Sequence, residues 1–162
     1  MNNIAMMWPG FKFKALTLSY DDGVNTDKRM IDTLNKYGIK ATFNINTGIF
    51  GKGGEVFEKG KFGRISRDEA KALYKDGGHE IALHSVHHKW MNNMNTVEAV
   101  QEILEDKRAI EELFGTIVRG MAYPYGPTYP EVENAVKVCG IVYARTTEAR
   151  NTFDIPGAWT RL

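Results

Sequence analysis

The sequence predicts an α/β fold built around a parallel sheet, which is either open or rolled into a (β/α) barrel. Short strand-like runs alternate along the chain with helix-like runs. This alternation is typical of strands joined by helical crossovers, which place neighbouring strands parallel. Three polar clusters also come directly after predicted strands, and parallel sheets carry their chemistry at the C-terminal ends of the strands. We therefore expect the three clusters to gather at one edge of the sheet.

Five short runs are predicted as strands because they are apolar or alternate with period two. In the first, Leu16 and Leu18 alternate with Thr17 and Ser19. The predicted strands cover 15–19, leading into the aspartates that follow, then 40–44, 80–83, 117–122 and 141–146. Residues 1–14 are a lead-in, and 15–162 are predicted to form a single domain.

Four helices are predicted between these strands from apolar residues at helical spacing and from capping signals. They cover 26–37, a segment from Ser66 with Glu69 to residue 74, a longer segment from Asn95 with Glu98 to Gly115, and 128–138. Two capping boxes are predicted, one formed by Ser66 with Glu69 and the other by Asn95 with Glu98. The segment 47–63 holds six glycines and is predicted to be a loop.

Composition and length restrict the class of protein. The chain has 162 residues, 43% of them hydrophobic, which suffices for one domain with a substantial core. A net charge of +1 without a long basic block argues against a nucleic acid or an anionic membrane as the partner. The single cysteine, Cys139, allows no internal disulfide, and its apolar neighbours favour a buried thiol over a nucleophile.

The amino terminus shows no targeting signal. The first twenty residues lack a charged segment followed by an apolar one, and no run of the chain is long enough to span a bilayer. As written, the sequence predicts a cytoplasmic protein. Action on cell-surface material stays open, because a sequence whose leader had been removed would look the same. The sequence does not predict an oligomeric state.

The first polar cluster is a pair of adjacent aspartates, Asp21 and Asp22, followed by Gly23. Like charges a few ångströms apart raise each other's pKa, and a nearby cation or a shared proton relieves the repulsion. A solvated Asp-Asp-Gly turn is an equally good interpretation of these residues alone.

The second cluster contains His84, His87 and His88 after the third predicted strand. Two histidines and a carboxylate are a common ligand set for a divalent metal, with positions left for water and substrate. His84 and His88 are four residues apart, so one helical turn would place both on one face. The spacing does not decide whether His87 replaces one of them.

Together the two clusters suggest a hydrolytic centre. If one aspartate binds a metal, the metal lowers the pKa of a bound water and polarises a carbonyl, and the other aspartate accepts the proton. The reaction class is hydrolysis of an amide or ester through a tetrahedral oxyanion. In the third cluster, at 123–126, a backbone N–H near Tyr125 is a candidate donor to that oxyanion. An ordinary aromatic turn is the alternative for this segment.

Three motifs in order resemble the polysaccharide deacetylase family, the chitin deacetylase-like carbohydrate esterases. The segment 19–23, Ser-Tyr-Asp-Asp-Gly, resembles the family's Thr-Phe-Asp-Asp-Gly motif. His84, Ser85 and His88 match its His-Ser/Thr-x-x-His motif, and 124–126, Pro-Tyr-Gly, match part of Arg-x-Pro-Tyr-Gly. The resemblance runs from about residue 14 to the end of the chain.

This resemblance implies a distorted (β/α) barrel and a role for each matched residue. Asp21 would be the catalytic base, Asp22, His84 and His88 the metal ligands, and the Tyr125 amide the oxyanion donor. The family's metal is usually zinc, and cobalt or other divalent ions also occur. Its members remove N-acetyl groups from N-acetylglucosamine polymers or O-acetyl groups from xylan, so an acetylated carbohydrate is the implied partner.

The chain departs from the family pattern in two places. Ala122 stands where the third motif has the arginine that partners the base, and Arg119 or Arg145 are the candidates to replace it. The family also has a late histidine that protonates the leaving group, whereas no histidine follows His88. With five predicted strands and fewer than the ~250 residues of a closed barrel, we expect a C-terminally truncated chain or a natural short form.

These departures leave two hypotheses for function. The first is a metal-dependent carbohydrate deacetylase, acting on an amide or an ester, with a complete metal and base half of the site. The second is a non-catalytic remnant of the same fold that binds metal or glycan. Weak or absent turnover with intact metal binding would favour the second hypothesis.

Overall fold

A computed structural model describes residues 7–51, 63–75 and 77–162. In this part of the chain, five parallel strands form one sheet in the order β1-β2-β3-β4-β5, so each strand pairs with the next along the chain. The strands are β1 (Ser19–Asp21), β2 (Thr42–Ile45), β3 (Glu80–Leu83), β4 (Gly120–Ala122) and β5 (Tyr143–Arg145). The predicted α/β class with parallel strands is therefore confirmed.

The sheet is curled into a half-barrel. In a flat sheet, four inter-strand spacings would separate β1 from β5 by about 19 Å. Instead, Nε of Arg145 in β5 donates to Oγ of Ser19 in β1 over 3.1 Å. A side-chain contact between the first and fifth strands is possible only because the strands between them bend, so the fold is an incomplete (β/α) barrel.

Within the described ranges, four helices cover the sheet. They are α1 (Asp27–Lys36), α2 (Arg67–Lys75), α3 (Thr96–Phe114) and α4 (Pro130–Val138). Short 3₁₀ turns follow β2 at Thr47–Ile49 and precede α3 at Met91–Asn93. Among the described residues, no helix is long and apolar enough to cross a membrane.

The predicted capping boxes are present at the starts of α2 and α3. Oγ of Ser66 accepts from the Glu69 N–H, and the Glu69 carboxylate accepts from the Ser66 N–H. Asn95 and Glu98 make the same reciprocal pair, and α3 ends at Gly115 in the left-handed conformation with φ 67°. The predicted starts of α2 and α3 therefore agree with the observed starts, Arg67 and Thr96, to within one residue.

Several predicted strand boundaries were wrong. β1 begins at Ser19, and Leu16, which was predicted to lie in this strand, is 85% exposed. Likewise β4 begins at Gly120, leaving Ile117 exposed outside the sheet, and β5 is confined to Tyr143–Arg145. An alternating or apolar run forms a strand only where a neighbouring strand supplies hydrogen bonds, and the ladders of these strands are three residues long.

The core lies between the sheet and the helices. Phe43 and Ile45 of β2, Leu83 of β3 and Met121 of β4 are fully buried against it. Cys139 is buried, as predicted. The face of α3 that packs on the sheet also carries two buried carboxylates, Glu102 and Asp106.

Candidate metal and catalytic centre

The three polar clusters meet at the C-terminal ends of β1, β3 and β4. Asp22, His84 and His88 each present one ligand atom, and these atoms lie within 4.8 Å of one another. Oδ1 of Asp22 is 3.4 Å from Nε2 of His88 and 3.9 Å from Nε2 of His84. The structure thus brings together the three residues that were predicted as metal ligands.

The two histidines of this cluster have the chemistry of metal ligands. Nδ1 of His84 lies 2.8 Å from the carbonyl oxygen of Ala122, so the ring donates its Nδ1–H there and keeps the Nε2 lone pair free. Burial lowers the pKa of His84 and also that of His88, which favours neutral imidazoles. Neutral histidines beside a carboxylate fit a divalent metal such as zinc.

His87, which was left open as an alternative ligand, points elsewhere. Its Nδ1 is 2.9 Å from Oε1 of Glu102, and its backbone N–H donates to the other oxygen of the same carboxylate. The ring is therefore oriented toward α3 and away from Asp22.

Asp22 is held by Arg64, a residue that the sequence reasoning missed. Nη1 of Arg64 donates to the backbone oxygen of Asp22 over 2.6 Å and to Oδ1 of Asn46 over 2.9 Å. Nη2 donates to Oδ1 of Asp22 over 3.2 Å. The guanidinium therefore fixes both the main chain and the carboxylate of this residue.

The backbone is strained where the candidate ligands lie. Among the described residues, six that are not glycine have positive φ, and four of them belong to this centre: Asp22 (81°), Ser85 (65°), His88 (54°) and Tyr125 (63°). Such conformations cost on the order of 1 kcal/mol or more each and concentrate at functional sites. This clustering is independent of the motif match and marks the same edge of the sheet.

Asp21 is held separately from the Asp22–His84–His88 cluster. Nη2 of Arg145 donates to both oxygens of Asp21, over 2.6 and 2.5 Å, and Nδ2 of Asn44 donates to Oδ1 over 2.9 Å. Of the two arginines considered as replacements for the one missing at Ala122, Arg145 therefore contacts the carboxylate. Arg119 precedes β4 at the opposite edge of the sheet, where its carbonyl oxygen accepts from the Val142 N–H.

Tyr125 lies in the turn after β4, next to the cluster. Its ring centroid is 4.7 Å from that of His88, and its side chain is 60% exposed. Among the described residues its backbone N–H makes no hydrogen bond, whereas the next amide, of Gly126, donates to the Tyr123 oxygen. Gly126 has φ 93°, and a Cβ there would meet the Thr147 side chain at 2.0 Å, so only glycine fits this turn.

Two buried acids of α3 support the histidine segment, and both were missed. Glu102 accepts hydrogen bonds from Oγ of Ser85, the His87 amide and the Lys89 ammonium. Burial alone would raise its pKa, but these hydrogen bonds hold it at about 2. The carboxylate is therefore ionised and anchors the turn that leads to His88.

Asp106 lies one helical turn further along α3. Its Oδ2 accepts from the His84 N–H over 3.1 Å, and its Oδ1 accepts from the N–H and Oγ of Thr47 over 2.9 and 2.7 Å. Burial raises its pKa to about 7 against these hydrogen bonds. The signal that could have revealed both residues is an acidic pair at i and i+4 on the same helix face as Ile103 and Ile110.

The curled parallel sheet and the Asp-His-His cluster at its C-terminal edge define an incomplete (β/α) barrel with a candidate metal-hydrolase centre. The family model for polysaccharide deacetylases matches residues 10–144. The chain therefore belongs to the polysaccharide deacetylase family, and the resemblance noted from its motifs is confirmed.

Individual relatives agree with this assignment. The chain is 26% identical over 137 residues to peptidoglycan-N-acetylglucosamine deacetylase PgdA of Listeria monocytogenes, covering 83% of this chain and 26% of that protein. It is 28% identical over 130 residues to peptidoglycan-N-acetylmuramic acid deacetylase PdaC of Bacillus subtilis, covering 77% and 24%. The chain thus spans about a quarter of the length of these curated relatives.

Among solved structures, IcaB from Ammonifex degensii superposes with a TM-score of 0.76 at 21% sequence identity. The match covers 90% of this chain and 64% of that one. At this identity the likeness concerns the fold, and it supports the half-barrel described above.

Proposed function

We propose that residues 15–162 form a metal-dependent deacetylase domain that removes acetyl groups, bound as amide or ester, from a carbohydrate such as an N-acetylglucosamine polymer. The observation that carries this proposal is the separation of the two adjacent aspartates. Asp22 faces the two histidines, whereas Asp21 is held apart from them by Arg145. One carboxylate is thereby available for a metal and the other for a proton.

Asp22, His84 and His88 would hold a divalent metal, with zinc as the proposed ion. When bound, such a metal polarises the acetyl carbonyl and makes water a stronger nucleophile. Asp21 accepts the proton of the attacking water, and Arg145 keeps its carboxylate oriented. The Tyr125 N–H donates to the oxygen that becomes negative in the tetrahedral state. Removal of an acetyl group from peptidoglycan sugars, the activity in the names of PgdA and PdaC, supports the choice of substrate class.

Metal content per chain tests the ligand assignment. Asp22→Ala and His84→Ala should each remove bound zinc after equilibration and desalting, whereas His87→Gln should retain it because His87 faces Glu102. Zinc content is measured by mass spectrometry. Unchanged zinc in either alanine variant would show that the ligand assignment is wrong.

Hydrolysis of a model acetyl ester tests the base. Asp21→Asn should keep the metal and lose hydrolysis, because the amide cannot accept the proton. If the variant turns the ester over at the rate of the natural protein, Asp21 is not the base.

A second candidate function is a non-catalytic protein that binds metal or glycan through the same edge. One observation favours it: among the described residues, no histidine besides His84 and His88 lies at the candidate centre to protonate a leaving group, since His79 accepts from the Ala41 N–H and His87 contacts Glu102. One metal per chain without detectable hydrolysis of either an acetyl ester or an N-acetylglucosamine oligomer would establish this function over the first.

A further inference from the structure

An exposed aromatic row leads away from the Asp22–His84–His88 cluster. The ring of His88 lies 4.7 Å from that of Tyr125, and Tyr125 lies 6.3 Å from the indole of Trp90, centroid to centroid. Tyr125 is 60% exposed and Trp90 is 48% exposed. Single exposed aromatic residues are common, but two adjacent ones continuous with a candidate centre indicate a binding surface.

The backbone that carries Trp90 is anchored on both sides. Met91 directly after it is fully buried in the core. Oη of Tyr129 donates to the Asn92 oxygen over 2.5 Å, which ties the 3₁₀ turn to the start of α4. Before Trp90, Lys89 is paired with the buried Glu102 over 2.7 Å. Since its neighbours are fixed, the backbone that presents the indole to solvent is preorganised to receive a ligand.

Beyond Trp90 the surface opens into a groove of about 540 Å³ along the first half of α3. Its wall combines the indole and the Met94 side chain with polar groups, among them Asn93, Gln101 and Glu105. An aromatic face next to amide and carboxylate groups is the chemistry that binds a pyranose. The apolar C–H face of the sugar stacks on the ring, and its hydroxyls find hydrogen-bond partners at the edge.

We propose that Trp90 and this groove bind a sugar unit next to the one at the metal cluster, so that the protein binds oligosaccharides in preference to single N-acetylated sugars. This inference rests on the proposed carbohydrate function and adds a subsite with its specificity residue. Trp90 determines the preference for longer substrates and takes no part in the chemistry at the acetyl group.

Binding to a non-hydrolysing form tests this subsite independently of turnover. The zinc-loaded Asp21→Asn protein is titrated with N-acetylglucosamine and with its pentamer by calorimetry. The pentamer should bind about tenfold or more tightly than the monomer, as burial of one aromatic side chain supplies. Adding Trp90→Ala should remove this advantage and leave monomer binding unchanged.

Tyr37→Ala is the matched control, because Tyr37 is an exposed aromatic residue (66%) at the end of α1 and outside the aromatic row. It should bind the pentamer as the parent does. Trp90→Phe, which keeps an aromatic face, should retain part of the preference.

The indole N–H resonances report the contact directly. The sequence has three tryptophans, and the signal lost in Trp90→Phe is the one that should shift when the pentamer is added. Equal affinity for monomer and pentamer, a pentamer affinity unchanged in Trp90→Ala, or an unperturbed Trp90 resonance would each overturn the subsite. Loss of hydrolysis with an intact pentamer preference would instead count only against the proposed catalytic function.

Discussion

Replacement of Asp106 tests whether α3 holds the candidate metal centre in place. Asp106→Ala leaves the half-buried N–H and Oγ of Thr47 without their carboxylate acceptor, and the buried N–H of His84 keeps only the Ile45 oxygen. A buried donor without a partner costs about 1–3 kcal/mol, and the cavity left by the side chain adds to this cost. Part of this loss in the free energy of unfolding is offset, because burial of the natural carboxylate is itself unfavourable and raises its pKa. We expect a net loss of about 3 kcal/mol in the free energy of unfolding.

The conservative variant Asp106→Asn should distinguish the contribution of the His84 N–H from that of Thr47. In Asp106→Asn the amide oxygen can still accept from Thr47, but the amide NH₂ group then faces the N–H of His84. One hydrogen bond is lost instead of three, so we expect a cost of about 1 kcal/mol. Zinc affinity should fall by about tenfold or more in both variants, because the segment that carries His84 loses its support.

Urea unfolding of the metal-free protein measures the first effect, and competition with a chromogenic chelator measures the second. Glu112→Ala, which removes an exposed acid from the same helix, is the control and should change neither quantity. A loss below about 1 kcal/mol in Asp106→Ala, together with unchanged zinc affinity, would refute the role assigned to α3.

Two further predictions concern other carboxylates. Arg145→Lys keeps the positive charge but loses the paired contact with Asp21, so turnover of an acetyl ester should fall by about tenfold with zinc content unchanged; equal turnover would contradict the positioning role. Burial raises the pKa of Asp27 to about 6 from 3.8, against the hydrogen bond from Tyr74. The folded protein therefore keeps a proton that the unfolded chain loses, and stability falls between pH 4 and 6 by up to about 3 kcal/mol. Asp27→Asn should abolish this loss. The free energy of unfolding of the variant, measured with urea on metal-free protein, should therefore rise relative to that of the natural protein between pH 4 and 6. A difference between the two proteins that stays constant over this range would contradict the prediction.

The parts of the fold that the sequence predicts well are those determined locally. A capping box involves residues three apart, and both predicted boxes are present. The limits of β3 were also predicted correctly, because its apolar run ends where the polar histidine segment begins. The start of β1 was not, since Leu16 belongs to an alternating run that has no ladder partner. Periodicity describes which side chains could face a core, but the length of a short strand is set by its neighbour.

The supports of the candidate centre depend on contacts between distant segments. Arg64 and Asp22 are 42 residues apart, and Arg145 and Asp21 are 124 apart. The choice between Arg119 and Arg145 nevertheless had a physical basis in the sequence. Arg119 lies early in its predicted strand and Arg145 near the end of the next, and only C-terminal ends of parallel strands share the edge where Asp21 lies.

The candidate ligands are held by two different parts of the fold. His84 and the turn that leads to His88 are fixed from α3 through Asp106 and Glu102, both buried on one face of that helix. Among the residues that the structure describes, Asp22 makes no such contact with α3 and is fixed by Arg64, whose guanidinium donates to the oxygen nearest the histidines. A cation at the cluster and Arg64 therefore share one carboxylate, and the arginine moderates the attraction of that carboxylate for the cation. We therefore expect the strength of the proposed metal binding to depend on Arg64, and the direction of the two imidazoles to depend on α3.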